Sequence, residues 1–184
     1  MRTATLMAIA LLAGSAHAQG KPVAGAPPAP RPAAELERLK PLEGRWSCKG
    51  VAPAGAMGPG SAETKYASTF TIKRAWDGFA YTLAYDQKPP SRFSGAWSVA
   101  WDGGQKKLLF FWLDNAGNVG LETASDWSGD AFVAQGEGFA PGGPATFRDT
   151  FTRRGDKGLH WKGEVKPQGA SAWTVIGEDE CMKK

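Results

Sequence analysis

From Gly44 to the end of the chain, short β-prone runs are cut by turn residues at intervals of roughly 10–15 residues, and helical periodicity is absent. That rhythm leaves room for little except hairpin-linked strands. About ten are expected, near Gly44–Val51, Glu63–Ala75, Phe79–Gln87, Arg92–Trp101, Lys106–Leu113, Asn118–Trp127, Ala131–Phe139, Ala145–Arg154, Leu159–Lys166 and Ser171–Cys181. The connections include Asp77-Gly78, Asp102-Gly103-Gly104, Asp114 to Asn118, Ser128-Gly129-Asp130 and Gly155 to Gly158. Such Asx and Gly residues reach the positive φ angles that tight hairpins require. Ala75-Trp76-Asp77-Gly78 recurs as Ala100-Trp101-Asp102-Gly103, but two copies this close cannot build a propeller of ~40-residue repeats. Each reads as a strand ending in an aromatic residue and a turn.

Alternation within the runs assigns faces. Phe93, Trp97, Val99 and Trp101 share one side of their strand, while Arg92, Ser94 and Ser98 share the other. Tyr66, Phe70 and Ile72 alternate in the second strand, and Tyr81, Leu83 and Tyr85 in the third. Leu159, Trp161 and Val165 alternate against His160, Lys162 and Glu164. Strands half apolar and half polar fit an antiparallel sheet with one wet face, arranged as a sandwich or a closed barrel.

The 2 cysteines, Cys48 and Cys181, lie near the two ends of the strand-rich region and are expected to form a disulfide. A bridge between first and last strands is easiest where they lie side by side, which favours an up-and-down barrel over the sandwich. Cys48 has the parity of Trp46, and Cys181 that of Trp173 and Val175, so a shared inner face is expected.

The start of the chain reads as a targeting signal: Arg2, an apolar run from Ala4 to Ala13, and the small-x-small triplet Ala16-His17-Ala18. Residues 1–18 are therefore expected to be removed near Ala18, leaving a periplasmic or secreted protein. The run is far below the ~20 residues that span a bilayer, and no second one follows. Residues 19–35 form a Pro/Ala-rich linker, and 36–184 the β domain. Between them, Ala33–Lys40 offers Leu36 and Leu39 at helical spacing, stopped by Pro41. Basic residues are scattered rather than gathered into a face, which argues against nucleic acid. The sequence is silent on oligomeric state.

Leu42-Glu43-Gly44-Arg45-Trp46, a Gly-x-Trp after a short helix, resembles the opening of lipocalins and their calycin relatives. Phe93-Ser94-Gly95, Trp112 to Gly117 and the Trp-rich C-terminal strands are similar to a secreted bacterial family of lipocalin-like domains of unknown function. The resemblance covers roughly residues 36 to 184. It implies a barrel of about ten strands that could hold a small apolar molecule, and it implies no reaction. A related ten-stranded family binds haem through a histidine near its last strands. Here the counterpart would be His160, whose parity places it among outward, charged residues, so no cofactor is expected.

Catalytic patterns are absent: no Gly-x-Ser-x-Gly elbow, no His-Glu-x-x-His, no phosphate loop and no Rossmann fingerprint. Asp114 to Asn118 lacks the spacing of a calcium loop and reads as a capped hairpin turn. Asp149 shares parity with Phe147 and Phe151, which predicts an inward carboxylate. The 8 Trp, 9 Phe and 3 Tyr are the strongest compositional signal. Most must fill the interior, but Tyr66, Phe70, Tyr81, Tyr85, Trp97 and Trp112, with Asp149, form a candidate lining for a small hydrophobic ligand. A binding or carrier module is the first functional expectation. An interaction protein of the cell envelope with a filled barrel is the second, and an enzyme using Asp149 the third.

Overall fold

Because side chains alternate along every strand, a sheet curled far enough to pair its first and last strands can bury one face all round. This chain does so. The structure is a computed structural model and describes residues 29–89 and 91–184; the expected leader, residues 1–18, and most of the linker lie outside that range.

The strands are β1 (Gly44–Ala52), β2 (Thr64–Ala75), β3 (Ala80–Gln87), β4 (Ser94–Asp102), β5 (Lys107–Asp114), β6 (Val119–Ala124), β7 (Ala131–Ala140), β8 (Gly143–Arg154), β9 (Gly158–Pro167) and β10 (Thr174–Lys183). Each pairs antiparallel with its chain neighbours, and β1 pairs with β10, closing the barrel. The sandwich alternative is thereby excluded.

Cys48 and Cys181 stand directly opposite each other across the closing seam, Cα atoms 4.0 Å apart, and form a disulfide spanning 133 residues. Loop-closure arithmetic for a span of that length gives about 5 kcal/mol of stabilisation, at the upper end of what disulfides contribute.

Three expectations need correction. The segment before β1 is a 3-10 helix, Ala34–Leu42, and Pro41 lies within it rather than ending it. Leu36, Leu39 and Leu42 recur every third residue, and at three residues per turn they form one stripe, fully buried in the barrel's mouth. The sixth strand stops at Ala124 rather than Trp127. Trp127 instead folds over the same mouth, its indole N–H donating to the Arg38 carbonyl at 2.7 Å and its ring 5.3 Å from Phe132. Finally, the register of β10 against β9 shifts between Val175 and Gly177. Such a bulge reverses the alternation, so Trp173 and Val175 do not share the inner face of Cys181. Trp173 lies outside, with the Arg148 guanidinium 4.2 Å from its ring centroid.

The barrel has two unlike ends. The end capped by the 3-10 helix is filled: Trp46, Phe70, Ile72, Tyr81, Leu83, Trp97, Val99, Leu108, Phe110, Phe132, Phe151 and Leu159 are all buried against the three leucines. Trp97 packs edge-on to Phe110 and Phe151, with centroids 5.3 and 6.3 Å apart, and Trp46 stacks on Phe70 at 5.7 Å. The other end carries the β1–β2, β3–β4, β5–β6, β7–β8 and β9–β10 connections and is built differently.

Candidate functional site

At this second end the inner wall is made largely of glycine. Gly50, Gly95, Gly120, Gly136, Gly138, Gly163 and Gly177 occupy inward positions of six strands, where the filled end has leucine, valine and phenylalanine. Large rings lie flat over this wall. A Cβ on Gly50 would fall 2.1 Å from the Tyr66 ring, one on Gly95 2.4 Å from the Trp112 ring, and one on Gly163 2.5 Å from the Trp161 ring. The rings thus occupy the space that side chains at these glycines would fill. Tyr66, Tyr85, Trp112, Asp149 and Trp161 all point inward yet keep solvent-accessible surface, whereas the inward residues of the opposite end are buried except at its rim, where Arg74, Trp101 and Arg153 keep surface.

Each ring is fixed by its polar atom. The Trp112 indole donates to Asp114 Oδ2 at 2.9 Å. Asp114 Oδ1 accepts the backbone N–H groups of Ala116 and Asn118, so the β5–β6 connection is the capped hairpin turn expected, and it anchors a wall residue. The Trp161 indole donates to Asp149 Oδ1 at 2.7 Å. Tyr85 donates to Asp179 Oδ2 at 3.2 Å, and Ser68 donates to the same oxygen at 3.3 Å. Phe93, from the β3–β4 connection, packs edge-on to Tyr85 at 5.9 Å.

Besides Asp114 at the rim, three carboxyl groups face the lumen here. Glu122 on β6 and Asp149 on β8 are separated by β7, which presents only Ala134 and Gly136 between them. With no bulky side chain intervening, the two acids reach hydrogen-bonding contact. Burial raises the pKa of Glu122, and the neighbouring Asp149 charge raises it further. Burial raises Asp149 too, against the opposing effect of the Trp161 N–H. Two carboxylates held together away from bulk water cannot both ionise near neutrality, so the pair retains one proton. Asp179, 1% exposed, is also raised by burial, although Tyr85, Tyr66 and Ser68 act to lower it. Burial, with Asp179 alongside, pushes both phenols up, Tyr85 to about 12.

The candidate lining predicted from alternation divides between the two ends. Tyr66, Tyr85, Trp112 and Asp149 come together in the glycine-walled end. Phe70, Tyr81 and Trp97 sit in the filled end, with Tyr81 fully buried and accepting from Arg74 Nε at 3.0 Å. Glu122, Asp179, Phe147 and Trp161 were not in that lining and belong to the same end. His160 points outward, its Nε2 3.3 Å from Glu178 Oε2 on the neighbouring strand. The lumen therefore receives no imidazole from it. Two surface hollows lie outside the lumen: a groove of about 400 Å³ beside Lys107, Ser125 and Gln135, and a smaller one of about 190 Å³ beside Pro41, Arg153 and Lys183. Neither gathers convergent chemistry.

Comparisons with known proteins agree with the fold. The sequence profile of a family described as "Protein of unknown function (DUF1579)" matches residues 31–178. The solved structure titled "Crystal Structure of Rv2717c from M. tuberculosis" is similar over 84% of this chain and 99% of that one, with a TM-score of 0.59 and 13% sequence identity. At that identity the likeness shows a shared barrel. Comparison with curated protein sequences gives no match.

Proposed function

Since the chain belongs to the DUF1579 family, whose description carries no activity, we propose from the geometry that it is an exported, lipocalin-like binding module. It takes a small, largely hydrophobic ligand into the glycine-walled end of its barrel. The observation that carries this reading is the contrast between the ends: one is packed solid by a leucine-striped helix, while the other keeps inward aromatic surface within reach of solvent. Mostly apolar walls with a few convergent polar groups are what small-molecule sites present. Export is supported by the leader-like start of the sequence and by the disulfide, a bridge typical of oxidising compartments. No helix among the described residues is long and apolar enough to cross a membrane.

The test is saturable binding of the neutral dye Nile red, read as a blue-shifted rise in fluorescence. Gly120 supplies the control: a Cβ there meets Phe147 Cδ2 at an ordinary 3.6 Å, so the wall tolerates a side chain. A leucine at that position would project into the lumen. Gly120→Leu should abolish dye binding while the near-ultraviolet circular dichroism is kept. Undiminished binding to that variant would reject the site.

A second reading has its own observation. Phe111, Leu113, Val119, Leu121 and Phe139 are exposed on the outer face of β5–β7, and they neighbour one another across the strands. A continuous apolar strip is unlike the scattered surface residues of most monomers. It supports the interaction-protein alternative, in which Leu121→Lys would lose an envelope partner and leave dye binding unchanged.

A further inference from the structure

The glycine-walled half of the lumen is acidic in a chain that is basic overall. Its formal net charge is +4. Yet the ionisable side chains that face the lumen from mid-barrel to this mouth are Tyr66 on β2, Tyr85 on β3, Asp114 at the rim of β5, Glu122 on β6, Asp149 on β8 and Asp179 on β10. β1, β4, β7 and β9 add only uncharged residues there. Among the described residues no Lys, Arg or His joins them: Arg74, Arg153 and Lys183 belong to the helix-capped end, and His160 faces outward.

One of these acids, Asp179, lacks a partner that a buried carboxyl needs. Glu122 is 4% exposed, and the register of β6, β7 and β8 sets it beside the carboxyl of Asp149. Asp179 is 1% exposed; Tyr85 and Ser68 donate to its Oδ2, whereas Oδ1, turned into the lumen over Gly50, is left without a hydrogen-bond partner. Leaving such a group unsatisfied costs folding free energy, and a protein that fills its other end with leucine had an apolar alternative. Aromatic faces beside the acids add a surface that attracts positive charge.

Resting on the reading that this end is a binding site, we propose that its ligand is a small organic cation, a protonated amine carried on an apolar body. The ammonium group takes the place of the proton between Glu122 and Asp149, and that proton leaves to solvent. Phe147, Trp112 and Trp161 hold the apolar body. Asp179 Oδ1 offers a second acceptor to a ligand with a further donor.

The experiment is isothermal titration calorimetry at pH 7 with phenethylammonium, 2-phenylethanol and 3-phenylpropionate, each in two buffers of different ionisation enthalpy. Phenethylammonium should bind at least about tenfold more tightly than the alcohol, as one charge-assisted hydrogen bond would give. It should also release up to one proton, and the carboxylate should bind weakest. Glu122→Gln, which leaves Asp149 ionised but has no proton to give up, should erase the proton release, and Glu122→Gln combined with Asp149→Asn, which removes the pair's charge, should erase the preference as well. Binding of the alcohol or the carboxylate as tightly as the amine would overturn the cation proposal and leave the lumen site standing. No saturable heat from any of the three, with the protein folded by circular dichroism, would overturn both.

Discussion

Glu122→Gln also probes the acid pair without any ligand, through stability. In the unfolded chain both carboxyls ionise in the ordinary acidic range, so near neutrality the unfolded state holds no proton at this pair. The folded state holds one. Stability then changes with pH in proportion to protons bound unfolded minus folded, which is minus one here, so it falls as pH rises above the unfolded carboxyl range. The slope is about 1.4 kcal/mol per pH unit, or about 3 kcal/mol between pH 5.5 and 7.5. Asp149 keeps some accessible surface in the lumen, which makes this an upper figure. An amide at position 122 is neutral at every pH and can donate to Asp149, so the linkage disappears. The two proteins should be about equally stable near pH 5, and the variant should become the more stable above it, by about 3 kcal/mol at pH 7.5. Urea unfolding at several pH values, with the disulfide intact, measures both curves. Parallel curves would refute the shared proton and the contact between the acids.

Other perturbations have opposite or sharper signs. Glu164, on the outer face, accepts from Arg148 at 2.8 Å and pairs with Lys162, and these bonds lower its pKa. Its contribution is present above the unfolded value and lost as pH falls through the folded one, so Glu164→Gln should flatten the acid limb of the urea-derived stability curve. Replacing Cys48 and Cys181 together by alanine should cost about 2–5 kcal/mol in urea unfolding. Phe132→Ala, at the centre of the filled end, should cost about 3–5 kcal/mol in the same assay. Gly136→Ala should be poorly tolerated, because its Cβ would lie 2.0 Å from the Leu121 carbonyl oxygen, whereas Gly120→Ala should change the thermal midpoint little.

Much of this fold is legible because its signals are local. Asp-Gly turns and two-residue alternation set the strands to within a few residues, and the lone cysteine pair indicated which strands close the barrel. What escaped lies where local alternation misleads. In β6 the apolar residues Val119 and Leu121 face outward, while Gly120, Glu122 and Ala124 face inward. Hydropathy alone inverts that strand and hides Glu122. In β5 both faces are apolar, so Phe110 and Phe111 cannot be told apart without the neighbouring strand. Asp179 follows the bulge in β10 and shares the parity of Cys181, so the bulge misplaces Trp173 and Val175 but does not hide it. Counting back two residues from Cys181 would have found it. The unlike ends were invisible too, because a helix stripe fills one mouth and inward glycines at seven positions line the wall of the other. Both are tertiary facts.

The most direct measurement is the indole N–H spectrum of the protein, by nitrogen-15 correlation, titrated with 2-phenylethanol and, separately, phenethylammonium. The account predicts saturable shifts of the Trp112 and Trp161 signals, with Trp46 and Trp97 unmoved because the filled end admits nothing. Shifts at Trp46 and Trp97, or none at Trp112 and Trp161 with either compound, would contradict it.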